Sequence, residues 1–241
     1  MAGRLQAIWR YPVSSMAGEA LERAAITPDG IAGDRLWGVV DAATGEIASP
    51  KRRRWHPTPH VETRATAAGV QVRLPGGEWQ EADAAAAALE RHFGFAVAFR
   101  RHPGTQGPAG AATVAARYRI RALHLVTTAS LATLADMLPQ SRPDARRFRP
   151  NLVVDWPDRS VPFPETGWAE GSRVTVGAVR LTVVERCRRC AFVTIAQPGL
   201  DKDPAILHAV ATENGADLGV YCTVAAAGDI AVGDAVGITP A

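Results

Sequence analysis

Four consecutive residues carry the most chemistry in this chain: Cys187-Arg188-Arg189-Cys190, preceded by Arg186. Two thiols three residues apart, in a run of guanidinium groups, have several uses. Cations near a thiol favour the thiolate, which is the form that attacks electrophiles and binds metals. A C-x-x-C pair alone leaves four readings open. The thiols are buried structural residues, a dithiol redox pair, zinc ligands, or the setting of one reactive cysteine that binds a soft metal or carries sulfur. The structural reading stands first on the motif alone. A redox pair would want a helix after the motif, and a β-rich segment follows instead. Zinc would draw on Cys187, Cys190, His208 and Cys222 as a Cys₃His set, with no second close pair to support it.

Other constellations are missing. No G-x-S-x-G, H-E-x-x-H, Walker A or dinucleotide fingerprint occurs. His56, His60, His92, His102, His124 and His208 are scattered without metal-ligand spacing, and His124 reads as a core residue of a strand. Three cysteines in 241 residues do not build a disulfide scaffold. The expectation is reduced thiols in a cytoplasmic protein with no leader peptide and no membrane span. A hydrophobic fraction of 47% and a net charge of +3 fit a globular chain with a sizeable core and argue against a nucleic-acid coat. Positive charge is local and almost all arginine, as in Lys51-Arg52-Arg53-Arg54, Arg100-Arg101 and Arg146-Arg147. Arginine suits fork-like recognition of phosphate or carboxylate.

Short alternating runs punctuated by turns must position these groups. Strands are expected over 5–13, 20–26, 36–40, 47–48, 61–65, 70–74 and 95–99, with a basic loop over 51–59 and a helix over 82–93 stopped by Gly94. The Gly/Pro/Ala-rich stretch 103–112 reads as a long loop or internal boundary. Beyond it, strands are expected over 122–126, 151–155, 173–176, 179–184, 191–195, 220–225 and 230–236. A helix over 130–138 takes Thr128 as its N-cap, and a second over 203–214 is bracketed by Asp203, Pro204 and Gly215. The fold class is therefore mainly β with α, a barrel-like core with a few helices.

Taken together, five separated segments make a more specific pattern: Pro12-Val-Ser-Ser-Met-Ala-Gly18, Gly30-Ile-Ala-Gly-Asp-Arg-Leu-Trp37, Arg147-Phe-Arg-Pro-Asn-Leu-Val153, Cys187-Arg-Arg-Cys190, and Gly219-Val-Tyr221 with Gly233-Asp-Ala-Val236. In this order the chain resembles MOSC proteins, named for the C-terminal domain of molybdenum cofactor sulfurase, and is most similar in pattern to the amidoxime-reducing components. The resemblance implies a MOSC β-barrel over 111–241 packed on an N-terminal β-rich subdomain over 1–110. It implies that the molybdenum cofactor, molybdopterin, lies in the groove between them. By the same resemblance Cys190 is the catalytic residue and metal ligand, and Cys187 is structural. Arg35 and Arg149 anchor the cofactor's phosphate and pterin with Asn151 nearby, while Thr127 and Thr128 contact the pterin. Ser14 and Ser15 occupy the first phosphate segment. There the chain departs from its relatives, which commonly carry Lys at the position of Ser14. Lys51 or Arg52 is the expected substitute cation.

The implied activity is reduction of N-hydroxylated or N-oxide small molecules. The chain has too few cysteines for a four-thiolate iron–sulfur domain, so electrons are expected from an external ferredoxin- or cytochrome-type protein. The alternatives are a sulfur carrier or cofactor handler with a persulfide on Cys190, and a non-catalytic, zinc-stabilised binding domain.

Overall fold

The computed structural model describes residues 2–67, 69–103, 113–116 and 122–241. Its first half runs β1 (Ala2–Arg10), β2 (Glu19–Leu21), β3 (Arg23–Thr27), β4 (Gly30–Ile31), β5 (Trp37–Asp41), β6 (Glu62–Ala65), β7 (Val70–Arg73), β8 (Gln80–Glu81), helix α1 (Ala86–Phe93) and β9 (Val97–Arg101). The second half runs β10 (Leu123–Thr127), α2 (Thr128–Met137), α3 (Ala145–Phe148), β11 (Leu152–Asp155), β12 (Arg173–Val176), β13 (Val179–Arg188), α4 (Pro204–Asn214), β14 (Asp217–Ala226), β15 (Gly228–Ala231) and β16 (Ala235–Thr239). No helix among the described residues is long and apolar enough to cross a membrane.

Seven strands close into a barrel in the order β11-β10-β14-β13-β12-β16-β1, and β1 pairs back onto β11 to shut the ring. The mainly-β architecture with few helices is the one the sequence pattern anticipates. β10 and β11 run parallel, so the chain needs a crossover between them, and α2 and α3 supply it. β1 is shared along its length: residues 2–4 face β16, residues 4–8 face β11 and residues 8–10 face β2. The N-terminal segment is thus a stave of the barrel, and β3 also pairs with β15. The expected division at residue 110, and most of the loop read over 103–112, lie outside the described residues.

Three apolar clusters result. The barrel interior holds Leu5, Ile8, Leu125, Val154, Leu181 and Val220, alternating with outward residues along each strand. A second cluster joins α1 to the small sheets of the first half around Trp55, Leu89 and Phe93. A third lies under α2 and α4 around Leu134, Phe148, Ile206 and Val210. The cavity described below takes Ala48 from the second cluster and Phe148 from the third into its lining.

Several elements differ from the sequence reading, each for a physical reason. The expected strand over 191–195 is a 3-10 turn, Ala191–Thr194. Phe192 and Val193 are consecutive yet both buried, which a half-buried strand cannot achieve. The run over 230–236 is two strands, broken at Gly233-Asp234, where Asp234 Oδ2 accepts from the Ala231 amide at 2.8 Å. β13 extends past residue 184 as far as Arg188. The N-cap of α2 is Thr127, one residue before the expected Thr128; its hydroxyl accepts from the Ser130 amide at 3.2 Å.

That cap is tied to a buried carboxylate. Glu165 is fully enclosed, and its Oε2 accepts from the hydroxyls of Thr127 and Ser130, each at 2.6 Å. Burial pushes its carboxyl above the ordinary range, and the two hydroxyl donors offset this only in part. The folded state therefore holds a proton that the unfolded chain releases. The sign follows: this contribution to stability is complete below the unfolded carboxyl's titration range and is lost as pH rises through the raised folded value. Glu165→Gln should flatten this part of the pH dependence. In urea unfolding series from pH 4 to 8, the wild type should lose stability relative to the variant as pH rises; parallel curves would show that the carboxylate is not titrating.

Candidate functional site

The site grows from four backbone segments. β13 delivers the C-x-x-C pair. Its ladder to β14 is irregular three times, and two of the shifts, between Val183 and Glu185 and between Arg186 and Arg188, flank the site. Bulges of this kind re-aim side chains. Here Glu185 and Arg186 are both exposed, while Cys187 turns inward and is completely buried. Cys190 lies beyond the strand, half-buried, where the chain enters the 3-10 turn. The two cysteines thus have opposite environments. Arg189 Nη1 donates to Cys187 Sγ at 2.6 Å, and Nη2 donates to the Phe148 carbonyl at 2.7 Å, clamping α3 to the strand end. The third thiol, Cys222, points into the barrel core, where burial pushes it up to about 12.

Arg35 and Arg149 come from opposite halves of the chain and meet beneath the same cavity. Each has a left-handed backbone, with φ of 48° and 55°. Ser15 has φ of 69°, so three of the five non-glycine residues with positive φ among the described residues belong to this one place. Such backbone is costly and gathers where function demands a geometry. Arg35 pairs with Asp34, and donates from Nη1 to Asn151 Oδ1 and from Nη2 to the Arg149 carbonyl, each at 2.9 Å. Arg149 donates to the carbonyls of Met16 and, at 3.4 Å, Val13. The ring of Tyr11 is wedged between them, with the Arg35 and Arg149 guanidinium carbons 5.1 and 4.2 Å from its centroid. Burial, and then the charge of Arg35, pull Arg149 down to about 10. It remains a cation at neutral pH.

Asn151 is fully buried, and both ends of its amide are engaged. Its Oδ1 accepts from Arg35 and from the His124 amide, and its Nδ2 donates to the Trp9 carbonyl at 3.2 Å. It braces the site by joining β1 and β10 to Arg35. His124, on β10, is buried and held neutral by that burial, then by Arg189 and Arg35. Beside it Gly219 has φ of 83°; a Cβ there would lie 2.3 Å from the imidazole Nε2 and 2.7 Å from the Leu125 carbonyl, so only glycine fits.

A cavity of about 430 Å³ joins these parts. Ser14, Ser15, Arg35, Arg149, Asn151 and Cys190, all expected from the sequence, line it. The other three expected contacts are placed elsewhere. Thr127 is spent on Glu165 and the α2 cap, and Thr128 donates to Asp155 Oδ1 at 3.2 Å and accepts from the Trp156 amide at 3.0 Å. Both face the helix start because β10 ends there. Lys51 is exposed and outside the lining, although Pro50 belongs to it. Of its neighbours, Arg52 pairs with Glu46 at 2.8 Å, and Arg54 pairs with Asp41 at 2.6 Å while covering Phe95. Neither replaces a lysine at Ser14, whose Oγ lies 3.0 Å from His102 Nε2. The sequence reading left Arg186, Arg188, Phe192 and Tyr221 out of the site, yet they line it too. The arginine run and the Gly219-Val220-Tyr221 segment were their signal.

The set fits an anionic, sulfur-rich ligand. A half-buried thiol shares the cavity with five arginines, Arg35, Arg149, Arg186, Arg188 and Arg189, and Arg189 Nε is buried without a protein partner among the described residues. The zinc reading does not fit: no three His, Cys, Asp or Glu residues among those described converge to hold an ion, and His208 is exposed on α4.

Comparison with known proteins decides the family. The MOSC domain matches residues 90–237, and the MOSC N-terminal β-barrel domain matches residues 2–103. The chain belongs to the MOSC family. Proteins of this family bind or handle the molybdenum cofactor. Among solved structures, the fold is similar to that of the YuaD protein from Bacillus subtilis, with a TM-score of 0.55 at 15% identity, covering 100% of this chain and 97% of that one. The YiiM proteins from Geobacillus stearothermophilus and Escherichia coli align over 49% and 50% of this chain (54% and 55% of theirs) at 16% and 17% identity, each with a TM-score of 0.38. No curated protein matches the sequence.

The burial contrast predicts thiol reactivity in this MOSC chain. Iodoacetamide at mild alkaline pH should modify Cys190 alone in the native protein, with Cys187 and Cys222 reacting only after denaturation. Peptide mass mapping reads the order, and early modification of Cys187 would contradict its enclosed placement.

Proposed function

We propose that this protein is a molybdenum-cofactor reductase of small N-hydroxylated or N-oxide compounds. The observation that carries the reading is the Cys190 thiol opening into the same cavity as Arg35, Arg149 and Arg189. When bound, the cofactor supplies a thiolate-seeking metal able to pass two electrons to an N–O bond.

The remaining steps belong to this chain. Cys190 offers the one partly exposed thiol as the protein's ligand. Arg149 and Arg35, already held by carbonyls, Asp34 and Asn151, present fixed positive charge toward the cofactor's phosphate and pterin with little rearrangement. Ser14 and Ser15 belong to the same lining and bring hydroxyls to it. Neutral His124 contributes to the lining without adding charge. In the overall reaction the N–O bond breaks, the substrate takes up two electrons and two protons, and water leaves with the oxygen. A separate ferredoxin- or cytochrome-type protein supplies the electrons at the cavity mouth.

The same thiol would serve a sulfur carrier, and one preparation separates the two. Protein from a cofactor-producing host, purified without oxygen, should contain near-stoichiometric molybdenum and reduce benzamidoxime with a chemical electron donor. Cys190→Ser should lose the metal and at least ~100-fold of the turnover, with its thermal transition unchanged. An added sulfur on Cys190 by intact mass, without metal or turnover, would establish the carrier instead.

A further inference from the structure

The cavity contains two kinds of arginine. Arg35, Arg149 and Arg189, at its base, each donate to groups of their own chain. Arg186 and Arg188, on β13 at its mouth, are exposed, line the cavity and have no hydrogen-bond or ion-pair partner among the described residues. Arg10, Arg35, Arg52, Arg54, Arg73, Arg146 and Arg159 pair with carboxylates; what sets Arg186 and Arg188 apart from other exposed arginines such as Arg180 is that both line the cavity. A partner is within reach. Arg188 is directly opposite Asp217 in the β13–β14 ladder, yet no ion pair forms between them. Two positions apart on one strand, the guanidinium stems are spaced on the order of 6 Å, close enough to repel and to share one anion. The bulge between them is the local irregularity that sets their aim.

We infer that Arg186 and Arg188 form an anion clamp at the cavity mouth that selects substrates carrying an oxyanion, carboxylate or phosphate, at the end remote from the reacting group. The identity of that ligand as substrate rests on the reductase reading above. Phosphate or carboxylate bridging two guanidiniums is the interaction for which arginine is best shaped. It also removes the repulsion between the two cations, so the clamp is strongest when a single anion touches both. Neutral substrates of equal size would lack this contact.

Matched ligands test the clamp. Binding of benzamidoxime, 4-carboxybenzamidoxime and 4-phosphonobenzamidoxime to the purified full chain is measured by titration calorimetry. Wild type, Arg186→Gln with Arg188→Gln, and Arg180→Gln as an exposed control on the same strand are compared. The expected result is about tenfold tighter binding of the anionic ligands by the wild type, lost in the double variant, kept in Arg180→Gln and weakened by added salt. The carboxylate and phosphonate arms show which oxyanion is preferred. Equal affinity for neutral and anionic ligands, or a preference that survives the double substitution, would overturn the clamp. So would a fall in molybdopterin content in the double variant, which would assign the pair to the cofactor. An anion preference with no reduction of any of the three compounds by metal-loaded protein would leave the clamp standing and overturn the reductase reading.

Discussion

Two guanidinium groups from opposite halves of the chain meet under one cavity, and much of the structure exists to hold them there. Like charges enclosed together repel and are poorly solvated, so each needs a reason to stay. Arg35 has Asp34 and the oxygen of Asn151. Arg149 has no carboxylate among its hydrogen-bond partners; it rests on main-chain carbonyls and on the rings of Tyr11 and Phe192. Arg35 in turn donates to the Arg149 carbonyl, so placing one guanidinium fixes the other's backbone. The unusual φ angles of both residues are the local cost of that closure. The result is a positive cavity base held in place by the chain's own groups, and charge fixed in this way binds an anion with little reorganisation.

The barrel explains why these parts can be so far apart in sequence. β1 pairs with β16, β11 and β2 in turn, which brings residues 11–16 of the first half against the end of α3 in the second. Asn151 stands at the junction, bonded to β1, to β10 and to Arg35. Its oxygen accepts twice and its amide nitrogen donates to the Trp9 carbonyl, so it braces the lining to which it belongs. Arg147 performs a comparable task nearby: fully buried, it donates to the carbonyls of Arg142 and Asp201 and ties α3 to the segment ahead of α4. Burying a cation among carbonyls is expensive unless the geometry is complete, and here it keeps Arg149 at the cavity.

What was legible in the sequence follows from how local each signal is. α4 could be read to the residue because Asp203, Pro204 and Gly215 are cap chemistry that acts within one turn. The hairpin around Gly177 and the Gly94 stop are equally local. The expected strand over 191–195 failed because its apolar run serves two separate contacts, Phe192 near Arg149 and Val193 under α4, and periodicity cannot tell these from one buried face. Whole motifs pointed to Arg35, Arg149 and Cys190, and these three line one cavity. Thr127 and Thr128 were misplaced because the carboxylates that occupy them, Glu165 and Asp155, are 38 and 27 residues away. The outward turn of Arg186 depends on β-bulges, which leave no mark in composition or spacing.

The same bulges settle the division of labour in the Cys-x-x-Cys pair. A regular strand alternates faces, so it could send Cys187 inward but gives Glu185 and Arg186 opposite directions. Two register shifts around them leave both exposed and return Cys187 to the interior, where Arg189 caps its sulfur. Ending the strand at Arg188 then frees Cys190 from the ladder, and its thiol reaches the cavity. One cysteine therefore holds the arginine that fastens α3, and the other faces the cavity. A dithiol redox pair would require both sulfurs to be accessible to the same partner, and complete burial of Cys187 argues against that use. The arginines between the two thiols divide in the same way: Arg189 turns in to the clamped sulfur, while Arg188 stays out at the mouth.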